Sequence, residues 1–512
     1  MQVWLLARDS SSVLQLLQNM SYEGHPALWH LCLYGLSQIT HNVVSVQILH
    51  LLIALGIVFL IVKFSPFSVL HKFLLSFSYF IFFEYTFISR NYSLGILFLF
   101  LFCAAYHRAG KRYYLLATLL ALAANTNIYA CMISMALALF LGLEALQEGQ
   151  FQRLKSKQMV ISVAIICLGW LLSILQIGRI MLPQLAALFA ALGTSNISQQ
   201  FSSATPNIAL AIAPTESFNL IEQLAQLGSV LNDVFKSYVP IPVFSELDFW
   251  NTNFLTDPDA TASVLGIPLG DYVALALTIA LLSCALYFLA RRPALLWSFI
   301  FGNFVLVAFR FFLHDQPALR HQGHFFILLV ICFWLLNSSL SGVNNHPPDV
   351  KSHHPKLSRA ALQQRFFTVV LTLQFFSGLY AASMDYIYPF SAGKAAANFI
   401  QENGLAEIDI FGSLPRQATV LSGYLDVPIY YPQRQEFGSF WTHLVPKIDS
   451  DAELIQAIES QANAADRERL VLALTRPLPS ADASSLSITE LARFEQSIAP
   501  NETFYLYLAQ GE

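Results

Sequence analysis

The chain is dominated by repeated apolar blocks of roughly 17 to 22 residues, about the length a helix needs to cross ~30 Å of hydrocarbon. They lie near 43–62, 68–88, 91–107, 112–126, 128–146, 158–178, 271–290, 294–313, 323–338 and 366–386. With 55% hydrophobic and only 12% charged residues, and a mean hydropathy of +0.54, the chain is far from a soluble domain, where charged residues run near a quarter. The fold class this predicts is an α-helical polytopic membrane protein of about ten spans, with amphipathic helices outside the membrane and a small C-terminal α/β soluble domain. A formal net charge of −4 points to neither nucleic acid nor an acidic partner.

Short basic loops set the expected orientation. Lys63 and Lys72 flank one turn, Arg108, Lys111 and Arg112 occupy another, and Arg153, Lys155 and Lys157 mark a third. Arg291 and Arg292, then Lys351, Lys356, Arg359 and Arg365, complete an alternation that leaves both termini outside the cytoplasm. A polar opening outside the membrane has no visible means of export. Two readings stay open: a first transmembrane helix normally upstream of Gln2 is missing from the sequence, or the opening is drawn across as a tail by the 43–62 span. All six cysteines (Cys32, Cys103, Cys131, Cys167, Cys284, Cys332) lie in apolar segments, which argues against a disulfide framework or a cysteine metal site.

Residues 1–42 read as a first extracytoplasmic loop with interfacial helices. Ser10-Ser11-Ser12 can cap a helix from Val13 to Met20, and Pro26 to Gln38 carries Trp29 and Tyr34, residues suited to a membrane interface. The bundle fills 43–386 and includes a long outside loop, 180–270. That loop holds an amphipathic run from Ser217 to Phe235 and an aromatic patch at Phe244, Phe249, Trp250 and Phe254. Asn337 to Lys356 reads as a flexible cytoplasmic connection. In 387–512, helices at Lys394 to Glu402 and Asp451 to Ala464 alternate with short strands at Ile408 to Phe411, Val427 to Tyr431, Leu470 to Leu474 and Phe504 to Leu508. Gly412-Ser413-Leu414-Pro415 reads as a turn rather than a nucleotide loop.

Candidate chemistry gathers at the expected outer rim: Arg8, Asp9, Glu23 and His25; then Glu84-Tyr85 and Arg90-Asn91-Tyr92; then His314, Asp315, Arg320, His321 and His324. Taken singly, each is as well read as an interfacial charge, cheap at the end of a bilayer and costly at its centre. Together they include carboxylates able to act as a general base or hold a divalent cation, and arginines able to clamp a phosphate through two N–H groups. A base and a phosphate clamp at a membrane rim describe group transfer from a lipid-linked phosphate donor.

Three stretches carry a family resemblance: Ala7-Arg8-Asp9-Ser10-Ser11, then Tyr22-Glu23-Gly24-His25-Pro26-Ala27-Leu28-Trp29, then Glu84-Tyr85 through Ser89-Arg90-Asn91-Tyr92-Ser93-Leu94-Gly95. The chain resembles integral-membrane glycosyltransferases of the GT-C superfamily, nearest to the bacterial branch of aminoarabinose transferases and protein O-mannosyltransferases. Leu319-Arg320-His321-Gln322-Gly323 and Pro389-Phe390-Ser391 extend the likeness over most of the chain. The resemblance implies a first outside loop of two helices lying on the membrane, a polyprenyl-phosphate-sugar donor and an acidic catalytic residue at the start of that loop. In the related pattern an acidic pair precedes Gln-x-Trp, whereas here Gln2-Val3-Trp4 follows only Met1. Asp9 is then the nearest substitute and Glu23 the next.

The expectation is a glycosyltransferase of a bacterial cytoplasmic membrane, its C-terminal domain extracytoplasmic. Asp9, Glu23 and His25 would be catalytic, with Asp9 also the candidate ligand of a divalent metal. Arg8, Arg90, Tyr92, Arg320 and His321 would bind substrate. The partners would be the polyprenyl-phosphate-sugar donor, membrane lipid and an acceptor lipid, glycan or protein. The alternatives are a transporter or flippase of lipid-linked sugars, and a non-catalytic cell-envelope assembly protein.

Overall fold

A computed structural model describes residues 1–106, 112–147, 156–191, 220–256, 263–264, 267–313, 318–341, 358–441, 448, 450–464, 469–478, 486–500 and 502–510. Arg108, Lys111, Arg153, Lys155, Lys351 and Lys356 of the basic loops, His314 and Asp315, and most of the connection from Asn337 to Lys356 lie outside the described residues.

Among the described residues, seven helices are long and apolar enough to cross a membrane. They are Val44–Phe64, Ile128–Gln147, Lys157–Gly178 (within a helix that runs on to Ala191), Leu269–Leu289, Pro293–Phe312, Leu319–Ser339 and Arg359–Ile387. Seven of the ten expected spans are helices of that length; the other three blocks are shorter or broken. Tyr92–Tyr106 and Tyr113–Ala124 are apolar but shorter. The 68–88 block is not one helix: Val69–Ser76 ends, the chain extends at Ser78, and a wide-turn π-helix runs from Tyr79 to Phe87.

The break is closely covered. Gly378, on the Arg359–Ile387 helix, lies so close that a Cβ there would stand 2.8 Å from the Phe77 carbonyl oxygen and 2.9 Å from the Tyr79 nitrogen. Irregular backbone among apolar helices is tolerated where protein covers it, and glycine allows the cover to close. The Leu319–Ser339 segment is the hub of the bundle, with 89% of its most apolar window buried. Lys157–Gly178, Leu269–Leu289 and Pro293–Phe312, each 28% buried, form the periphery. Their apolar outer faces read as lipid-facing.

A second polar cluster marks the far end of the hub helix. The Arg292 guanidinium donates to Tyr106 Oη (2.8 Å) and the Leu335 carbonyl (3.2 Å), pairs closely with Glu144, and lies 5.0 Å from the Phe140 ring centroid. From Arg320 to Ser339, which also contacts Arg292, the helix climbs about 29 Å at 1.5 Å per residue. That is the thickness of a hydrocarbon core, so the two charged clusters sit where the ends of a membrane-spanning bundle would be.

Before the bundle come helices Gln2–Arg8, Val13–Asn19 and Leu28–Ser37. Ser12 caps the second as its sequence suggested, its hydroxyl accepting from the Gln15 N–H at 3.1 Å. The amphipathic run of the long loop is helix Leu220–Tyr238. The C-terminal region folds into a six-stranded mixed sheet in the order Glu436–Gly438, Ile429–Tyr431, Ile410–Gly412, Arg469–Leu474, Phe504–Gln510, Ser487–Phe494. Its three inner strands, at 429–431, 410–412 and 469–474, are parallel. Helices Gly393–Glu402 and Pro415–Leu425 cover one face around Ala396, Ile400, Ala418 and Leu421; Asp451–Ala464 covers the other with Leu454 and Ile458.

Candidate functional site

The site is assembled where several helix ends meet. Asn251, one of the few non-glycine residues in the left-handed region (φ 72°), accepts the Leu319 N–H with its side-chain oxygen at 2.9 Å. That contact caps the hub helix and fixes two sequence neighbours, Trp250 on the loop and Arg320 on the helix, against each other. Arg320 lies 5.4 Å from the centroid of the Trp250 indole, and Arg90 reaches the same ring at 5.8 Å. Trp250 is further fixed by edge contact with Phe390 at 5.0 Å, at the start of the C-terminal domain.

Beneath the indole sits Glu84, 1% exposed. Its Oε1 accepts from Trp250 Nε1 at 2.8 Å and from the Tyr79 hydroxyl at 3.3 Å, while Oε2 has no partner. The wide-turn helix presents this carboxylate. Gly323 lets the hub helix approach it, since a Cβ there would stand 2.4 Å from the Phe80 ring and 2.5 Å from the Tyr85 hydroxyl. Tyr85 in turn donates to the Arg320 carbonyl at 2.7 Å.

Tyr92 forms the floor. Its hydroxyl lies 3.2 Å from His25 Nε2 and 2.9 Å from His321 Nε2, joining the first segment to the hub helix. Tyr129 stacks on both His321 (5.1 Å) and His324 (4.8 Å). Arg90 and Arg320 form no ion pair among the described residues, although both are partly buried. Burial, and then the Arg320 charge, push the Arg90 guanidinium down to about 10, so it stays charged at neutral pH. Glu23 is shifted upward from the usual carboxylate value by burial, opposed by the Arg416 charge, a hydrogen bond with Gln2 and the Arg90 charge.

The sequence-derived residues thus divide. Glu23, His25, Arg90, Tyr92, Arg320 and His321 come together. Arg8 and Asp9 face elsewhere: Arg8 Nε donates to Asp9 at 2.6 Å and its Nη1 to Asp426 at 2.8 Å, and Asp9 also accepts from Ser439. No contact between Asp9 and the Arg90–Arg320 group is present among the described residues. Among the described residues no group of three His, Cys, Asp or Glu side chains converges as metal ligands. Compared with known proteins, the chain matches no family model, no curated protein and no solved structure.

Trp250 and Glu84 complete the site. Trp250 belongs to the aromatic patch of the long loop, and nothing in its spacing ties it to arginines some 70 and 160 positions away (320 − 250 = 70; 250 − 90 = 160). Glu84 was visible as an acid inside an apolar block, a signal of function in itself. A separate group ties helix Leu220–Tyr238 to the bundle: Asp233 accepts from Arg310 Nε at 3.0 Å and from Gln322 Nε2 at 2.8 Å. Burial, opposed by Lys236 and Arg310, pushes Asp233 up to about 6.

Proposed function

We propose that this chain is a multi-span glycosyltransferase, moving one sugar from a polyprenyl-phosphate-linked donor to an acceptor lipid, glycan or protein at the outer face of a bacterial cytoplasmic membrane. One observation carries the reading: two guanidinium groups share one indole and lack an ion-pair partner among the described residues. Glu84 and Glu502 act on these charges only from beyond ion-pair distance, and a phosphate can accept N–H groups from both arginines at once.

In this reading Arg90 and Arg320 hold the donor phosphate, and Trp250 sets their spacing. Glu23 takes the proton of the acceptor hydroxyl as its oxygen attacks the anomeric carbon. The carbon–oxygen bond to the phosphate breaks, and the lipid phosphate leaves with its new charge balanced by the two arginines. Tyr92, between His25 and His321, lines the acceptor side. Glu84 is a positioning residue that holds Trp250.

The test is transfer from a short-chain polyprenyl-phosphate sugar by the protein in lipid nanodiscs. Arg90→Ala should lose most transfer while remaining folded; wild-type turnover in that variant would sink the assignment. The broken helix from Val69 to Phe87 favours a second reading, transport of a lipid-linked sugar, since transporters build their sites on such breaks. Movement of the donor across sealed vesicles without a glycosylated product would favour it.

A further inference from the structure

The C-terminal domain contains a second polar site that the transfer reading does not use. Its sheet has a topological switch point. The chain leaves strand Ile410–Gly412 through helix Pro415–Leu425 on one face to reach Ile429–Tyr431; it returns through Asp451–Ala464 on the other face to Arg469–Leu474. In open sheets with parallel strands, the crevice beyond the carboxyl ends at such a point is where ligands bind. Here that edge carries Ser413, then Leu414, and the start of an eleven-residue helix with no side-chain cap.

Two polar groups there are unfinished. Ser413 is 8% exposed and its Oγ has no partner. Gln433, just past the neighbouring parallel strand, donates Nε2 to the Ser413 carbonyl at 2.6 Å, which fixes the amide so that Oε1 is its other end; that oxygen is buried and unpartnered too. Buried polar groups left without a hydrogen bond destabilise a fold, and a bound ligand can satisfy them.

We infer that this edge is a binding subsite for a hydroxyl-bearing carbohydrate. The chemistry of the unfilled groups selects the class. Ser413 Oγ can donate and accept, Gln433 Oε1 can only accept, and at the helix start, where Pro415 has no N–H and the Gln417 N–H already bonds the Leu414 carbonyl, the Arg416 N–H is the donor. Neighbouring sugar hydroxyls both donate and accept and so complete all three. Inorganic phosphate keeps a P–OH donor at neutral pH, but its charged oxygens only accept and would face Gln433 Oε1 unfavourably. The subsite stands whether or not the bundle catalyses transfer.

The experiment is saturation-transfer NMR on the full chain in nanodiscs, with glucose, mannose, galactose, maltose and inorganic phosphate as probes. At least one sugar should bind, and Ser413→Ala should weaken it about tenfold, the worth of one hydrogen bond. Ser413→Ala removes only an unpaired hydroxyl, so its melting temperature should not fall. Gln433→Met, which also removes the hydrogen bond to the Ser413 carbonyl, should lose binding as well. No signal from any of these sugars, or equal binding by wild type and both variants, would overturn the inference. So would phosphate binding that Ser413→Ala abolishes, which would make the edge an anion site.

Discussion

Arg90 and Arg320 lie against one indole, that of Trp250, at 5.8 and 5.4 Å from its centroid. They come from chain segments 230 positions apart (320 − 90 = 230), and neither has an ion-pair partner among the described residues. The pairing follows from three local choices: the left-handed turn at Asn251, its cap on Leu319, and the break at Ser78 that turns Glu84 toward the indole. From this relationship follow consequences for binding, pH and stability.

Arginine chemistry should be separable from charge. Arg320→Lys keeps the positive charge but loses the flat face that stacks on Trp250 and the two-pronged donor geometry. Its affinity for a lipid phosphate should fall roughly tenfold, against roughly 100-fold for Arg320→Ala. Titration of both variants with farnesyl phosphate separates the two; equal losses would mean that only charge matters.

Glu23 gives a pH signature of defined sign. Its folded-state value is raised, so the folded protein binds the proton more tightly than the unfolded chain. Its contribution to stability is therefore present at low pH and is lost as pH rises from the ordinary carboxylate range through the raised value. Glu23→Gln should flatten that slope in melting temperature against pH. As the acceptor's base, Glu23 should also make transfer rise as pH passes the raised value, and Glu23→Gln should be slow throughout. An unchanged pH–rate profile in the variant would remove Glu23 from the chemistry.

The break at Ser78 depends on Gly378. Gly378→Ala places a methyl against backbone atoms of Phe77 and Tyr79 that have no rotamer to move, and should cost about 1–3 kcal/mol. Gly142→Ala meets no atom within 4 Å and removes a glycine from a helix, so it should be neutral or slightly stabilising. Paired thermal-unfolding measurements in one detergent check the contrast.

At the opposite end, Glu144→Ala would leave Arg292 largely buried without its carboxylate and should cost about 3–5 kcal/mol. Replacing both, with Glu144→Leu and Arg292→Met, should recover most of that loss. A double variant as unstable as the single one would show that the pair itself, rather than the stranded charge, holds this end together.

Much of the architecture was legible because membrane helices announce themselves by length and hydropathy. The segments near 43–62, 128–146, 158–178, 271–290, 294–313, 323–338 and 366–386 each coincide with a long apolar helix. The 68–88 block was not legible as a broken element, because the helix that packs on the break, at Gly378, lies some 300 positions away (378 − 78 = 300). In the last domain the buried strands at 410–412, 429–431, 469–474 and 504–510 stood out as apolar runs. The edge strands Glu436–Gly438 and Ser487–Phe494 did not, since an edge strand carries charged and polar residues on its open side. Arg90, Tyr92, Arg320 and His321 were legible as polar residues at the ends of apolar blocks. Glu84 was legible as an acid within an apolar block, but its partner Trp250 entered only with the fold, because the hydrogen bond between them joins distant segments.

The most direct test of the anion site compares farnesyl phosphate with farnesol by calorimetry, on wild type and on the Arg90→Ala/Arg320→Ala pair in nanodiscs. Wild type should prefer the phosphate by at least about tenfold, and the double variant should bind the two alike. A wild type indifferent to the phosphate, or a preference that survives loss of both arginines, would contradict the account.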